Sequence, residues 1–452
     1  MRFAGFRQML SCLAQAYEGA PALCFGSQEL QTISFRQLFE RVSKTAGRLS
    51  AENKTCIGIV ADGSADCIIQ MFAAVLAGRQ VVMLDNQLSD TILLQLLQTT
   101  DADSVWTGPE RESVRIPERS GGVPDGSGRM LFFTSGTTEQ SKAALLTDAS
   151  LCASAYNGSA KLPLSPGDTV LCMLPLSHVF GFVCGLLWGL SCGACVALGR
   201  GPRHYMDDGL FFRPTVLPAV PSLLGFLLTH HFLNPELHTV LVGAGDCQPA
   251  LLRQAQDLGL HVCFGYGLTE TSSGIAISTS GDPYAMELCP DDSVSIAPDG
   301  EILVFAPTCI MQGYYKQPEA TEAVLRGGVL YTGDLGFLDK DRLLHITGRK
   351  KDVLVLADGT KIYCPEYEAA LSRVLGTGDL AVILRAGRPV LVLESGCIDR
   401  SVAAARLLPF QQAHSRNQQI SEILEYPKKL PRTASGKLQR WQLQEEIEHG
   451  SI

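Results

Sequence analysis

Up to about residue 265 the sequence alternates short apolar runs with amphipathic stretches, and this pattern narrows the fold more than any other feature. It predicts strands over 56–60, 81–84 and 104–106, with helices over 65–76 and 91–97. The alternation resumes with strands over 130–133, 170–174, 195–198, 215–217, 239–242 and 262–264. Strands separated by helices build parallel sheets covered by helices, so the fold class is α/β. From about 274 to 347 the texture changes. Short β-like runs at 301–305 and 343–346 are separated by turns at 298–300 and 339–341, which describes a small antiparallel or barrel-like unit. A compact α+β segment follows Gly348. The expected organisation is a large N-terminal domain over 1–347, made of parallel α/β sheets plus the β-barrel-like unit, and a small C-terminal domain over 348–452. Residues 348–352 form the boundary, 109–128 read as a loop, and no internal repeat is present.

Of the 452 residues, 46% are apolar and 18% charged, enough for large cores and against disorder. The formal charge of −9, from 37 basic and 46 acidic residues, carries no electrostatic footprint for nucleic acid or for an anionic bilayer. Fifteen cysteines in a chain of this length point to reduced thiols and a cytoplasmic protein. Cys192 and Cys195 form a CxxC without a second pair, and core packing is favoured over a redox or metal role. The N-terminal residues lack the apolar run of a signal peptide. Between Thr169 and Leu198 no residue other than His178 can carry charge, and Gly181, Gly185, Gly189 and Gly193 recur at four-residue spacing. Pro175 and the Gly181–Phe182 region interrupt the run, so a buried helix between two strands is favoured over peripheral membrane contact or a transmembrane span.

Five short motifs carry the chemistry. FTSGTTEQSK (133–142) follows an apolar strand and offers backbone N–H groups, hydroxyls and the Lys142 ammonium to phosphate oxygens, although a polar surface turn would look similar. It is not a Walker A loop, because the Gly-Lys-Ser/Thr ending is absent. GYGLTE (265–270) lies at the carboxyl end of a strand, where α/β sheets bind ligands. YTGD (331–334) supplies a carboxylate after a strand-like run, GRKKD (348–352) adds cations, and PRTASGK (431–437) places Lys437 in a loop before the final helix.

The order and spacing of these motifs resemble the adenylate-forming superfamily of acyl-CoA synthetases, adenylation domains and luciferases, and the resemblance covers nearly the whole chain. Ile33–Leu38, Val81–Asp85 and Gly313-Tyr-Tyr315 also match the family's texture. The resemblance implies that Thr134, Ser135, Gly136, Thr137, Thr138 and Lys142 bind phosphates. It implies that Tyr266 packs on adenine beside Gly267, that Thr269 contacts the α-phosphate, and that Glu270 holds Mg²⁺. Asp334 then accepts from the ribose hydroxyls, with Arg349 beside it. Lys437 bridges carboxylate and α-phosphate and offsets their repulsion. His178, in PLSHVFG, either lines the carboxylate pocket or is a satisfied core residue. Lys351 matches the hinge about which a mobile C-terminal domain rotates, and Gly359 the loop lining a pantetheine tunnel. The phosphate loop departs from the family's pattern: Glu139, Ser141 and Ala143 stand where Gly, Pro and Gly are usual.

The implied activity is an AMP-forming acid–thiol ligase using ATP, Mg²⁺ and CoA or carrier-protein phosphopantetheine. The segment 177–183 lacks an Asp to pair an amino-acid ammonium, Asp246 being the nearest alternative. Val179, Phe180, Phe182 and Gly243 are apolar pocket candidates that favour a fatty or aryl acid, consistent with a place in fatty acid metabolism. Two alternatives remain at this point: an adenylation enzyme delivering acyl-AMP to a carrier protein or an amine, and a non-catalytic binding protein with a degenerate phosphate loop.

Overall fold

The computed structural model describes residues 2–108, 128–134, 142–245, 247, 249–280, 282, 284–356, 358, 360–432 and 438–448. The predicted loop over 109–128 therefore lies almost wholly outside the described residues.

Two sheets form the body of the protein. The larger has nine strands among the described residues. Its inner four, Thr169–Cys172, Val216–Ala219, Thr239–Val242 and His261–Leu268, run parallel. The second sheet has six, in the order Gly313–Tyr314, Ala143–Thr147, Arg129–Phe133, Gln80–Asp85, Cys56–Ala61 and Ser104–Trp106. The inner strands are buried on both faces, which is why they read as continuous apolar runs rather than alternating ones. Helices Phe6–Tyr17, Ala65–Leu76 and Asp148–Lys161 pack between the sheets, and one hydrophobic core draws on both, from Met130 and Phe132 on one side to Phe182 and Val196 on the other. Helix Ala65–Leu76 starts where Ser64 accepts a hydrogen bond from the Cys67 N–H.

The apolar run 169–198 is a strand, a buried helical segment over Gly181–Ser191 and a second strand, Cys195–Leu198, parallel to the first. The glycine repeat serves this packing. A Cβ at Gly189 would sit 2.9 Å from a Val170 methyl and 3.0 Å from a Val196 methyl, and one at Gly181 would sit 2.3 Å from the Pro175 carbonyl oxygen. The small residues thus let the helix lie directly on its own flanking strands. No helix among the described residues is long and apolar enough to cross a membrane.

The antiparallel unit is a five-stranded sheet organised on the long strand Val329–Leu338. That strand pairs with Glu301–Phe305, Leu325–Arg326 and Leu344–Arg349. Beyond a single 3₁₀ turn at Lys350–Asp352, the chain builds separate hydrophobic clusters drawn only from residues 354 onward. Their frame is the three-stranded sheet Leu380–Arg385, Arg388–Glu394 and Glu422–Tyr426, with helices Cys364–Leu375, Arg400–Ala413 and Arg440–Glu448. Arg440 ties the last helix to the body of this segment through Glu368 and the Val382 carbonyl.

Where the antiparallel unit meets helix Asp148–Lys161, Asn157 donates to Asp292 at 3.1 Å, and the other Asp292 oxygen has no partner among the described residues. Burial, reinforced by the neighbouring Asp291, pushes the Asp292 carboxyl up to about 7. The folded state therefore holds this proton at pH values where the unfolded chain has lost it, and stability falls as pH rises from about 4 to 7. Asp292→Asn should raise stability at pH 8 by on the order of 2–4 kcal/mol, with the gain vanishing near pH 4. Urea titrations at the two pH values measure this; an equal effect at both would contradict it.

Candidate active site

The site residues gather at the carboxyl ends of the parallel strands, the expected place for ligands in an open α/β sheet. Gly243 follows Thr239–Val242, the Pro175–His178 turn follows Thr169–Cys172, and Thr269 and Glu270 follow His261–Leu268. The second sheet contributes Asp85 at the end of Gln80–Asp85 and the hairpin that holds residues 134–142. That hairpin is closed at its neck by a hydrogen bond from the Thr134 N–H to the Lys142 carbonyl. Within it, Ser135, Gly136, Thr137 and Thr138, with Glu139 and Ser141, lie outside the described residues.

Asp334 is the centre of the first cluster. It is 2% exposed, accepts the Tyr266 hydroxyl at 2.8 Å on one carboxylate oxygen and pairs with Arg349 Nε at 2.8 Å on the other. Backbone register enforces the pair, because Asp334 and Arg349 are direct partners between antiparallel strands. Burial, with the Asp334 charge next, pushes the Tyr266 phenol well above its usual range, so it stays protonated and remains a donor. The turn into Asp334 is fixed as well. Gly333 has φ +70°, a left-handed value suited to glycine, and donates its N–H to Glu301 at 2.8 Å. Lys350 pairs with that same Glu301 and with Asp299. A carboxylate has about four lone-pair positions, so Asp334 can serve a diol as well as these donors.

The second cluster joins Lys142, Tyr314 and Glu270. The Tyr314 hydroxyl donates to Glu270 Oε1 at 2.5 Å, and the Lys142 ammonium lies 4.9 Å from the centre of the Tyr314 ring. Glu270 and Tyr266 leave the same strand segment, so the two clusters share one rigid support. Ser272, in a left-handed conformation with φ +54°, closes the turn after Glu270 by donating to the Cys309 carbonyl at 2.6 Å. Two of the partners carried little signal in the sequence. Tyr314 was visible only as texture, and Asp85 had the signal of an acidic residue ending a predicted strand.

His178 is 56% exposed and lies 3.9 Å from Asp85, which also accepts the Ser177 hydroxyl at 3.3 Å. It is therefore not a buried core histidine. Phe180 lies on Gly243, where an added Cβ would meet its ring at 2.9 Å. Two pocket candidates are corrected: Phe182 is fully buried against Phe6 and Phe132, and Val179 belongs to the same core, because the helical turn at 178–182 points them inward. Lys351 is exposed in the turn Lys350–Asp352. Gly267 is exposed within the strand ending at Leu268. Lys437, Gly359 and Asp246 lie outside the described residues.

Residues 12–126 and 126–315 match the AMP-binding enzyme family, which is more than half of the chain; the protein belongs to that family. It is an enzyme, an AMP-forming acid–thiol ligase. A 2-succinylbenzoate–CoA ligase of Bacillus cereus is 26% identical over 93% of this chain and 95% of its own length. One of Listeria monocytogenes is 30% identical over 70% of this chain and 69% of its own. The solved O-succinylbenzoate coenzyme A synthetase of Bacillus subtilis in complex with AMP superposes with a TM-score of 0.80 at 25% identity, over 96% of this chain and 97% of that one.

Tyr266→Phe leaves the buried Asp334 carboxylate one donor short. It should lower stability by about 1–3 kcal/mol and weaken AMP binding. Calorimetric titration with AMP and a urea melt check this; unchanged AMP affinity would contradict a ligand role for the Asp334 cluster.

Proposed function

We propose that the acid is one with an aryl-sized apolar body. Phe180 on Gly243, at the strand ends beside His178, carries this reading: an aromatic wall lines the approach to the site. Asp85, the carboxylate beside His178, is already engaged by Ser177 and His178 rather than open to an amino-acid ammonium. The aryl-acid ligases among the relatives support the reading.

In this reading, the loop of Thr134 to Thr138 with Lys142 holds the phosphates, and Tyr266 and Gly267 border the base. Asp334 takes the ribose hydroxyls with Arg349 alongside, and Thr269 meets the α-phosphate. Glu270 holds Mg²⁺, which supplies charge neutralisation at the phosphates. A carboxylate oxygen of the acid forms a bond to the α-phosphorus, and the bond to pyrophosphate breaks. Lys437 offsets the repulsion between the two anions. The thiol, losing its proton, then forms a bond to the acyl carbon and AMP departs with the original carboxylate oxygen. No protein nucleophile is required, so catalysis rests on positioning and charge.

The domain division at 348–352 is part of the same proposal, with residues 1–347 as the adenylating body and 348–452 as the mobile part turning at Lys351. Separate hydrophobic clusters on either side of Lys350–Asp352 support it. Gly359 would then face the pantetheine arm in the thioester-forming pose. CoA is the proposed physiological thiol rather than a carrier-protein arm, and the cytoplasm the proposed compartment, in keeping with fifteen cysteines, none of them in a disulfide.

Carboxylate-dependent ATP–pyrophosphate exchange across aryl, fatty and amino acids, without CoA, tests the acid. Exchange is expected with aryl acids; exchange confined to amino acids would overturn the reading. Lys437→Ala should lower adenylation by about 10²–10³-fold. Lys351→Pro should spare exchange and abolish thioester formation, and equal loss of both steps would refute the hinge.

A further inference from the structure

The segment Met311–Tyr315 touches both halves of the proposed phosphate site. The Met311 N–H donates to the Glu270 carbonyl at 2.8 Å. The Gln312 and Tyr315 N–H groups donate to the Leu145 and Ala143 carbonyls, both at 2.8 Å, on the strand that begins directly after Lys142. Between these anchors Tyr314 turns inward, 8% exposed, and reaches Glu270 with its hydroxyl and Lys142 with its ring face. Its backbone has little freedom. The Tyr314 N–H donates to Thr321 Oγ1 at 2.8 Å, and Gly313 has φ +143° with no room for a Cβ, which would lie 2.9 Å from Thr321. The ring therefore sits at a fixed place between the cation and the carboxylate.

We infer that Tyr314 is a positioning residue that sets the Glu270 carboxylate for a divalent cation and the Lys142 ammonium for pyrophosphate, through opposite parts of one side chain. The inference rests on the roles proposed above for Glu270 and Lys142. The hydroxyl occupies one lone pair of Oε1, which fixes the carboxylate plane and leaves Oε2 for the metal. Carboxylates that bind metals are commonly oriented in this way, and loss of the orienting bond typically costs 10–100-fold in metal affinity. The ring face attracts the ammonium electrostatically, so Lys142 is held in place with N–H donors left for phosphate oxygens. Tethering both groups to one ring also fixes the distance between metal and ammonium.

The two functions are separable by substitution. Tyr314→Phe keeps the ring and loses the orienting bond; Tyr314→Leu loses both. Binding is read without turnover, using Mn²⁺ with α,β-methylene-ATP by electron paramagnetic resonance and pyrophosphate alone, without metal, by calorimetry. Tyr314→Phe should weaken Mn²⁺ binding about 10-fold or more and leave metal-free pyrophosphate affinity unchanged. Tyr314→Leu should weaken both, and thermal melting of each variant verifies the fold. Glu270→Gln is measured in parallel. Normal Mn²⁺ binding by Tyr314→Phe beside impaired binding by Glu270→Gln overturns the inference alone. Normal binding by both variants overturns it together with the metal role of Glu270. Equal loss of Mn²⁺ and pyrophosphate binding in Tyr314→Phe, with lowered melting, also overturns it, because that marks a structural role only.

Discussion

The buried carboxylate of Asp334 is the constraint on which the site depends. A charge this deep is tolerated only when donors surround it. Here the donors come from different structural units: Tyr266 from the nine-stranded sheet and Arg349 from the last strand before the C-terminal segment. Satisfying one charge thus locks the large sheet to the antiparallel unit and sets where the chain leaves for its final portion. Arg349 is half-exposed at this junction, so the same ion pair that stabilises the fold presents a cation to the site. Breaking it would leave an uncompensated buried charge, which costs far more than an exposed ion pair contributes.

A second constraint operates at the proposed phosphate site. The hairpin holding residues 134–142 would be a simple surface turn if nothing lay behind it. The edge strand Gly313–Tyr314 lies against its return strand and carries an aromatic ring to Glu270. The antiparallel edge is therefore not only a cover for the sheet; it brings the loop's lysine and the turn's carboxylate to one side chain. Glu139, Ser141 and Ala143, unusual for the family, fall in or next to this loop, and of these the described Ala143 is an ordinary buried strand residue. Its pairing with Phe133 shows that the return strand tolerates the departure from Gly.

Much of the α/β frame was legible in the sequence. Helix Ala65–Leu76 and strands Ser104–Trp106, Cys195–Leu198, Thr239–Val242 and Glu301–Phe305 have the limits their apolar patterns predict. The return strand Ala143–Thr147 and its neighbour Gly313–Tyr314 were not legible, because the first runs straight on from the loop motif, the second is only two residues long, and their pairing joins positions far apart in sequence. The same reason separates what was found in the site from what was missed. Motif spacing marked Asp334 and Arg349 as a pair, since a short hairpin brings them opposite each other. Tyr314, on an edge strand, and Asp85, at the end of an inner strand, reach partners far away in sequence, a relation that only tertiary structure creates. Among the pocket candidates, Phe180 and Phe182 are alike in composition, and only the helical turn decides that one faces Gly243 and the other the core.

The central claim is that this site joins a carboxylate oxygen to the α-phosphorus of ATP before any thiol acts. The direct test supplies the enzyme with an aryl acid labelled with ¹⁸O in its carboxylate, ATP, Mg²⁺ and CoA, and follows the label by mass spectrometry. The account predicts one ¹⁸O atom in each AMP released and none in pyrophosphate. Unlabelled AMP, or label in inorganic phosphate, would contradict it.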